Sequence, residues 1–155
     1  MFIHLHMFLP TNEKQFGFWK MRRSGMSNVS IANELGITRQ GVSQALLAMN
    51  EKIEASLREM AKANRIQIEK IDVERGILFG RSIPFQTNAY ILVSEKHGMQ
   101  VWYEHDGDCI SCKEFTKCIE FIWDFAAELG IKLEKTADPT KMAEELMAKI
   151  REKEE

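Results

Sequence analysis

Apolar and polar residues alternate with a period of two between Ile66 and Tyr103. The apolar positions fall into successive runs: Ile66, Ile68 and Val73, then Ile77, Leu78 and Phe79, then Tyr90 to Val93, then Met99 to Tyr103. β-Branched and aromatic side chains dominate these runs, which predicts three to five antiparallel strands. In AYILVSEKHGMQVWYEH the stretch Glu95-Lys96-His97-Gly98 is a hairpin turn, with glycine available for positive φ. On both sides of this block the period lengthens to that of a helix. Upstream, Phe16, Phe18 and Trp19 belong to a helix that Ser24-Gly25 stops. Val42, Leu46, Met49, Ile53, Leu57, Met60 and Asn64 then form a near-heptad seam, unbroken or bent at Asn50. Downstream, Phe115, Ile119, Ile122, Trp123, Ala126 and Leu129 mark a helix ending at Gly130. After Asp138-Pro139, Met142, Leu146 and Ile150 mark another in a charged segment.

The resulting class is α+β: an N-terminal helical head with a long connecting helix, then a small antiparallel sheet covered by helices. The expected divisions are an arm over 1–10, a DNA-binding head over 11–45, a connecting or dimerisation helix over 46–65, and an α+β sensor or metal domain over 66–155. The apolar opening MFIHLHMFLP is a short strand or an arm folding onto the body, with Pro10 ending it. The seam needs a partner. A second copy is favoured over the body of the same chain, because two reading heads on a two-fold axis bind enough operator for useful affinity.

The head is built around SNVSIANELGITRQGVSQ, residues 27–44. Ile31, Leu35, Ile37, Val42 and Ala45 are spaced so that two short helices bury their stripes against each other across a tight turn. Ala32 sits at the crossing, where a larger side chain would hold the axes apart. Gly36 supplies positive φ, and Thr38 caps the second helix. Thr38, Arg39, Gln40, Ser43 and Gln44 then face outward, and all carry groups able to bond phosphates and base edges. Ile31-Ala32 with Gly36-Ile37 and Thr38 to Gln44 resembles prokaryotic helix-turn-helix transcription regulators, most closely the archaeal Tfx-type proteins and the last domain of sigma factors. The likeness covers about residues 11–65. It implies sequence-specific binding of double-stranded DNA, with the helix from Thr38 in the major groove.

Charge agrees with that picture only after the chain is divided. The whole carries a formal net charge of −2, but residues 11–65 hold nine Lys/Arg against five Glu, a balance of +4, and residues 66–155 hold 12 against 18, a balance of −6. A basic head can approach phosphates while an acidic body stays clear of the duplex. Lys20, Arg22 and Arg23 are candidates for backbone contacts, weighed against an ordinary solvated basic face. No apolar run approaches the roughly 20 residues that span a bilayer. The opening segment lacks the positive flank and small-residue cleavage site of a signal peptide, so a cytoplasmic address and no membrane partner are expected.

The three cysteines, Cys109, Cys112 and Cys118, fall within ten residues in HDGDCISCKEFTKC, with His105 four positions before the first. A Cys-x2-Cys turn brings two thiolates to one ion, and a third at a helix start gains from its dipole. With His105 this is a Cys3His set suited to zinc; an iron–sulfur cluster is the alternative cofactor. A thiol–disulfide switch and inert thiols are the competing readings. Asp106 and Asp108 disfavour thiolates by like charge, which weakens the switch more than a cation site. Phe85, Tyr90, Trp102 and Trp123 are core residues first and lining for a small-molecule pocket second.

Together these features point to a dimeric regulator whose DNA-binding head is coupled to a cysteine-rich metal or iron–sulfur sensing site. A contact with RNA polymerase or another protein is a second use of the head. The rival class is a thiol- or metal-dependent enzyme. Against it, the chain shows no phosphate loop, no nucleophile elbow and no second set of acid and base residues, so the expectation is that it is not an enzyme.

Overall fold

In the computed structural model, residues 2–7, 13–105, 111–134 and 138–152 are described. Four strands form where three to five were expected: β2 (Ile66–Asp72), β3 (Ile77–Ser82), β4 (Thr87–Ser94) and β5 (Gly98–Tyr103). Each pairs antiparallel with its neighbour in sequence, and β1 (Phe2–Met7) adds to β5, giving a five-stranded sheet in the order β1-β5-β4-β3-β2. The expected hairpin turn between β4 and β5 leads into Gly98 at φ 72°. Gly80 holds β2 and β3 close together. A Cβ at that position would lie 2.2 Å from the backbone oxygen of Gln67, so no side chain fits without moving a strand.

Alternation along β4 and β5 decides which layer each residue joins. Ala89, Ile91, Val93, Met99, Val101 and Tyr103 pack with α1 (Glu13–Arg23), α2 (Asn28–Leu35) and α3 (Arg39–Ala63). Tyr90, Leu92 and Trp102 face the other way, into a core shared with α4 (Phe115–Glu128) and α5 (Pro139–Glu152). The molecule is therefore α+β, with three N-terminal helices on one face of the sheet and two C-terminal helices on the other.

The near-heptad seam lies on one 25-residue helix, α3, with no break at Asn50. No glycine or proline interrupts it after Gly41, and one continuous apolar stripe keeps it on the sheet. Val42, Leu46, Met49, Ile53, Leu57 and Met60 are all buried in a core that α3 shares with α1, α2 and the strands. This corrects the expected use of the seam: the body of the same chain, helices and sheet together, is its partner, so a second copy would have to meet other surfaces. The boundary expected at 45/46 lies inside α3, and the head and the sheet share a core.

On α4 the buried stripe is Cys118, Phe121, Ile122, Phe125 and Ala126. It is rotated from the expected stripe: Phe115, Ile119, Trp123 and Leu129 lie at its margins, half-buried. Gly130 takes φ 69° after the helix, as expected of its stop.

Candidate functional site: the exposed start of α3

Two capped helix starts and one glycine shape this corner. Ser27 caps α2, its hydroxyl accepting from the Ser30 amide at 3.1 Å. Gly36 closes α2 at φ 65° in the left-handed region, and the amide of Ile37 donates to Ala32 O at 3.1 Å. Thr38 caps α3, its hydroxyl accepting from the Gly41 amide at 3.0 Å. Ile31, Ala32 and Val42 are buried where α2 meets α3.

Thr38, Arg39, Gln40, Ser43 and Gln44 are all exposed. Gln40, Ser43 and Gln44 sit three and four residues apart on one helical face, so their amide and hydroxyl groups address the same surface. Ser43 is partly committed: its hydroxyl donates to Arg39 O at 3.1 Å and accepts from Asn28 Nδ2 at 3.3 Å. Leu47 continues the face one turn further and is 63 % exposed. Leu47 and Asn28 were not among the expected site residues. Leu47 could have been found from its position seven residues after Gln40, whereas Asn28 reaches the face only through the packing of α2 on α3.

The expected apolar pairing of the two helices is incomplete. Leu35 and Ile37 are 43 % and 36 % exposed rather than buried, and Val29 is 48 % exposed. Ala45 is only half-buried against the core. The tip of the α2–α3 pair therefore carries apolar side chains beside its polar ones.

The basic candidates on α1 behave differently from expectation. Lys20 Nζ pairs with Glu95 at 2.7 Å and Arg22 Nε with Glu74 at 3.2 Å, both carboxylates belonging to the sheet half. Arg23 is a structural residue, its side chain only 2 % exposed. Its guanidinium donates to Val93 O at 2.7 Å and to Arg75 O, lies 4.5 Å from the Trp19 ring, and reaches Glu128 of α4 at 3.8 Å. Burial lowers its pKa below the ordinary arginine value, and Glu128 and Glu95 oppose that shift. Arg23 is removed from the phosphate-contact set because solvent, and hence a duplex, cannot reach it. Trp19 completes the joint: its indole N–H donates to Val73 O at 3.1 Å, fastening α1 to the sheet. Lys20, Arg22 and Arg23 thus each pair with a carboxylate of the acidic half of the chain.

Of the cysteine cluster, Cys109 lies outside the described residues, as do Asp106 and Asp108. Cys118 is buried in the apolar core on the inner face of α4, while Cys112 is exposed just before that helix. His105 is exposed, and its Nδ1 lies 2.8 Å from Tyr103 O, an arrangement in which Nδ1–H donates to the carbonyl. Among the described residues no three potential ligands converge on one point.

Of the four aromatic candidates, Tyr90 and Trp102 do line a cleft, of about 370 Å³, between β4–β5 and α5. Phe85 instead packs edge-on against Tyr103, with ring centroids 4.9 Å apart, and Trp123 packs against the α4–α5 core. Burial raises the Tyr90 pKa to about 12, with Glu104 reinforcing the shift and Arg151 opposing it, so its phenol stays protonated. Among the described residues no helix is long and apolar enough to cross a membrane. No family model, curated protein or solved structure matches this chain.

Proposed function

We propose that the chain is a sequence-specific DNA-binding regulator that reads duplex DNA with the first turns of α3. The observation that supports this reading is that Thr38, Arg39, Gln40, Ser43 and Gln44 all remain exposed at the capped start of a helix whose remaining length is anchored to the sheet. A rigidly held polar helix start is what the major groove requires, since amide side chains pair with adenine and guanidinium with guanine. Leu47 extends the surface with an apolar contact suited to a thymine methyl. The duplex contacts of α3 do not depend on the zinc or iron–sulfur site expected at the cysteines. Two half-sites would require a second chain, meeting the first through surfaces other than the α3 seam.

The test is selection of duplexes from a random pool, followed by titration of the selected sequence and a scrambled one across salt. The selected sequence is expected to bind more tightly, and Arg39→Ala or Gln40→Ala to remove about 1–3 kcal/mol of that discrimination. Because Arg39 is the one charge among the five outward residues, the salt slope should be shallow, about −1 to −2 per chain. Equal affinity for both duplexes, or discrimination untouched by both substitutions, overturns the proposal.

The exposure of Val29, Leu35 and Ile37 supports a second reading, in which the same tip contacts a protein such as RNA polymerase. Leu35→Ser with Ile37→Ser would then abolish that contact and leave any duplex binding unchanged. Loss of duplex discrimination with no effect on protein contact would exclude it.

A further inference from the structure

The cleft between α5 and the end of the β4–β5 pair has an apolar floor and an oppositely charged rim. Trp102, Ala143 and Met147 form the floor, and Glu104, Glu144 and Arg151 bring the charges. α5 supplies its wall from one face, with Ala143, Met147 and Arg151 following at steps of four.

Glu104 is held in place before any ligand arrives. Its Oε2 accepts from Asn88 Nδ2 at 3.1 Å and its Oε1 from the Tyr90 hydroxyl at 3.3 Å. Its own amide donates to Asn88 O at 3.0 Å, and its carbonyl accepts from the Thr87 hydroxyl at 3.0 Å. Arg151 donates to the same Tyr90 oxygen and lies over the rings of Phe79 and Tyr90, at 5.5 and 5.9 Å. The Arg151 guanidinium and the Glu104 carboxylate face each other at 3.9 Å, with side chains 57 % and 39 % exposed. This is a long, open ion pair, and a ligand can engage both ends without uncovering a buried charge.

We propose that this cleft binds a small zwitterion of the α-amino-acid type, its carboxylate on Arg151, its ammonium on Glu104, and its side chain over Trp102 and Met147. A simple anion would meet the carboxylates of Glu104 and Glu144, and a simple cation would meet Arg151. Only a ligand bearing both charges matches both members of the Glu104–Arg151 pair. The volume, about 370 Å³, lies at the low end of the roughly 300–1,000 Å³ typical of ligand sites, which suits one amino acid rather than a nucleotide. The site is independent of the reading given to α3, because neither Glu104 nor Arg151 touches the head.

Calorimetric titration of the full chain, without DNA, against the common amino acids tests this. For each amino acid that binds, the deaminated acid and the decarboxylated amine of the same side chain are titrated alongside. At least one amino acid is expected to bind, with both singly charged analogues about tenfold weaker or worse. Arg151→Met and Glu104→Gln should each weaken binding about tenfold or more while the unfolding midpoint stays near that of the wild type. If Glu104→Gln unfolds, Glu144→Gln, on the exposed side of α5, takes its place with a smaller expected loss. The proposal is overturned if no amino acid binds at millimolar concentration, if an analogue lacking one charge binds as tightly as its parent, or if the folded variants keep wild-type affinity.

Discussion

The two faces of the sheet use the same strands to different ends. Toward the N-terminal helices β4 and β5 present mostly aliphatic side chains, Ala89, Ile91, Val93, Met99 and Val101, and one long helix lies along them. Toward the C-terminal helices the strands present Tyr90, Leu92 and Trp102, with Gln100 and Ser94 buried among them. On the N-terminal side a single stripe of Val, Leu, Ile and Met on α3 closes a core made with α1, α2 and the aliphatic strand residues. Large aromatic and polar side chains are instead covered by two shorter helices that pack on each other, and where α5 meets the open end of β4–β5 a cleft remains. One face therefore anchors a helix whose exposed start presents groups outward, and the other leaves space to receive a ligand.

Truncating each core in turn is the strongest way to break that comparison. Phe125→Ala, on the aromatic side, is expected to cost about 3–5 kcal/mol, and Leu57→Ala, under α3, about 2–5 kcal/mol, in equilibrium urea unfolding. Because both layers pack on one sheet, each substitution should shift one common transition for near- and far-ultraviolet circular dichroism. Two separate transitions would show that the faces are independent units. A smaller effect is expected at the joint between head and sheet. Trp19→Phe keeps most of the ring but loses the bond to Val73 O, for about 1 kcal/mol, and unchanged stability would mean that bond contributes nothing. Thr38→Ala should cost about 1 kcal/mol through the lost cap on α3, measured in the same way.

Much of this architecture was legible in the chain, because period-two and helical periodicities are local. The strands, the hairpin before Gly98, the capped start at Thr38 and the left-handed Gly36 all follow from side chains within a few residues of the feature. What escaped depended on distant partners. The α3 seam announced that it needed a cover, yet nothing in the seam itself could say that α1, α2 and the strands of the same chain would supply one. Arg23 at the end of a helix has the composition of a surface residue, and only the folded joint with Trp19, Val93 and Glu128 makes it structural. The cysteine spacing was readable, but the inward phase of Cys118 followed from Phe121, Ile122 and Phe125, a stripe that had been placed one step around the helix. The cleft was the least legible feature: Tyr90 and Trp102 were candidates, while Glu104 and Arg151 meet only because α5 folds back over β5.

The smallest expected effect concerns the turn that links β4 to β5 and contacts α4. Asp124 on α4 receives a hydrogen bond from His97 Nε2 at 2.7 Å and an ion pair from Lys96 at 3.1 Å. The bond from His97 is the main reason its carboxyl pKa falls below the ordinary 3.8, with Lys96 adding to the shift and burial opposing it. A lowered folded-state value means that the ionised form is favoured by folding. The contribution is complete above the ordinary carboxyl range and is lost as pH falls through about 4 toward the folded value. Asp124→Asn should therefore be less stable than the wild type near neutrality, with the gap closing in acid, when thermal midpoints are compared from pH 7 down to pH 3. The carboxylate is partly exposed, so solvent screening keeps the difference well below those of the core truncations. A gap that stays constant across the range would assign the loss to packing of the amide rather than to charge.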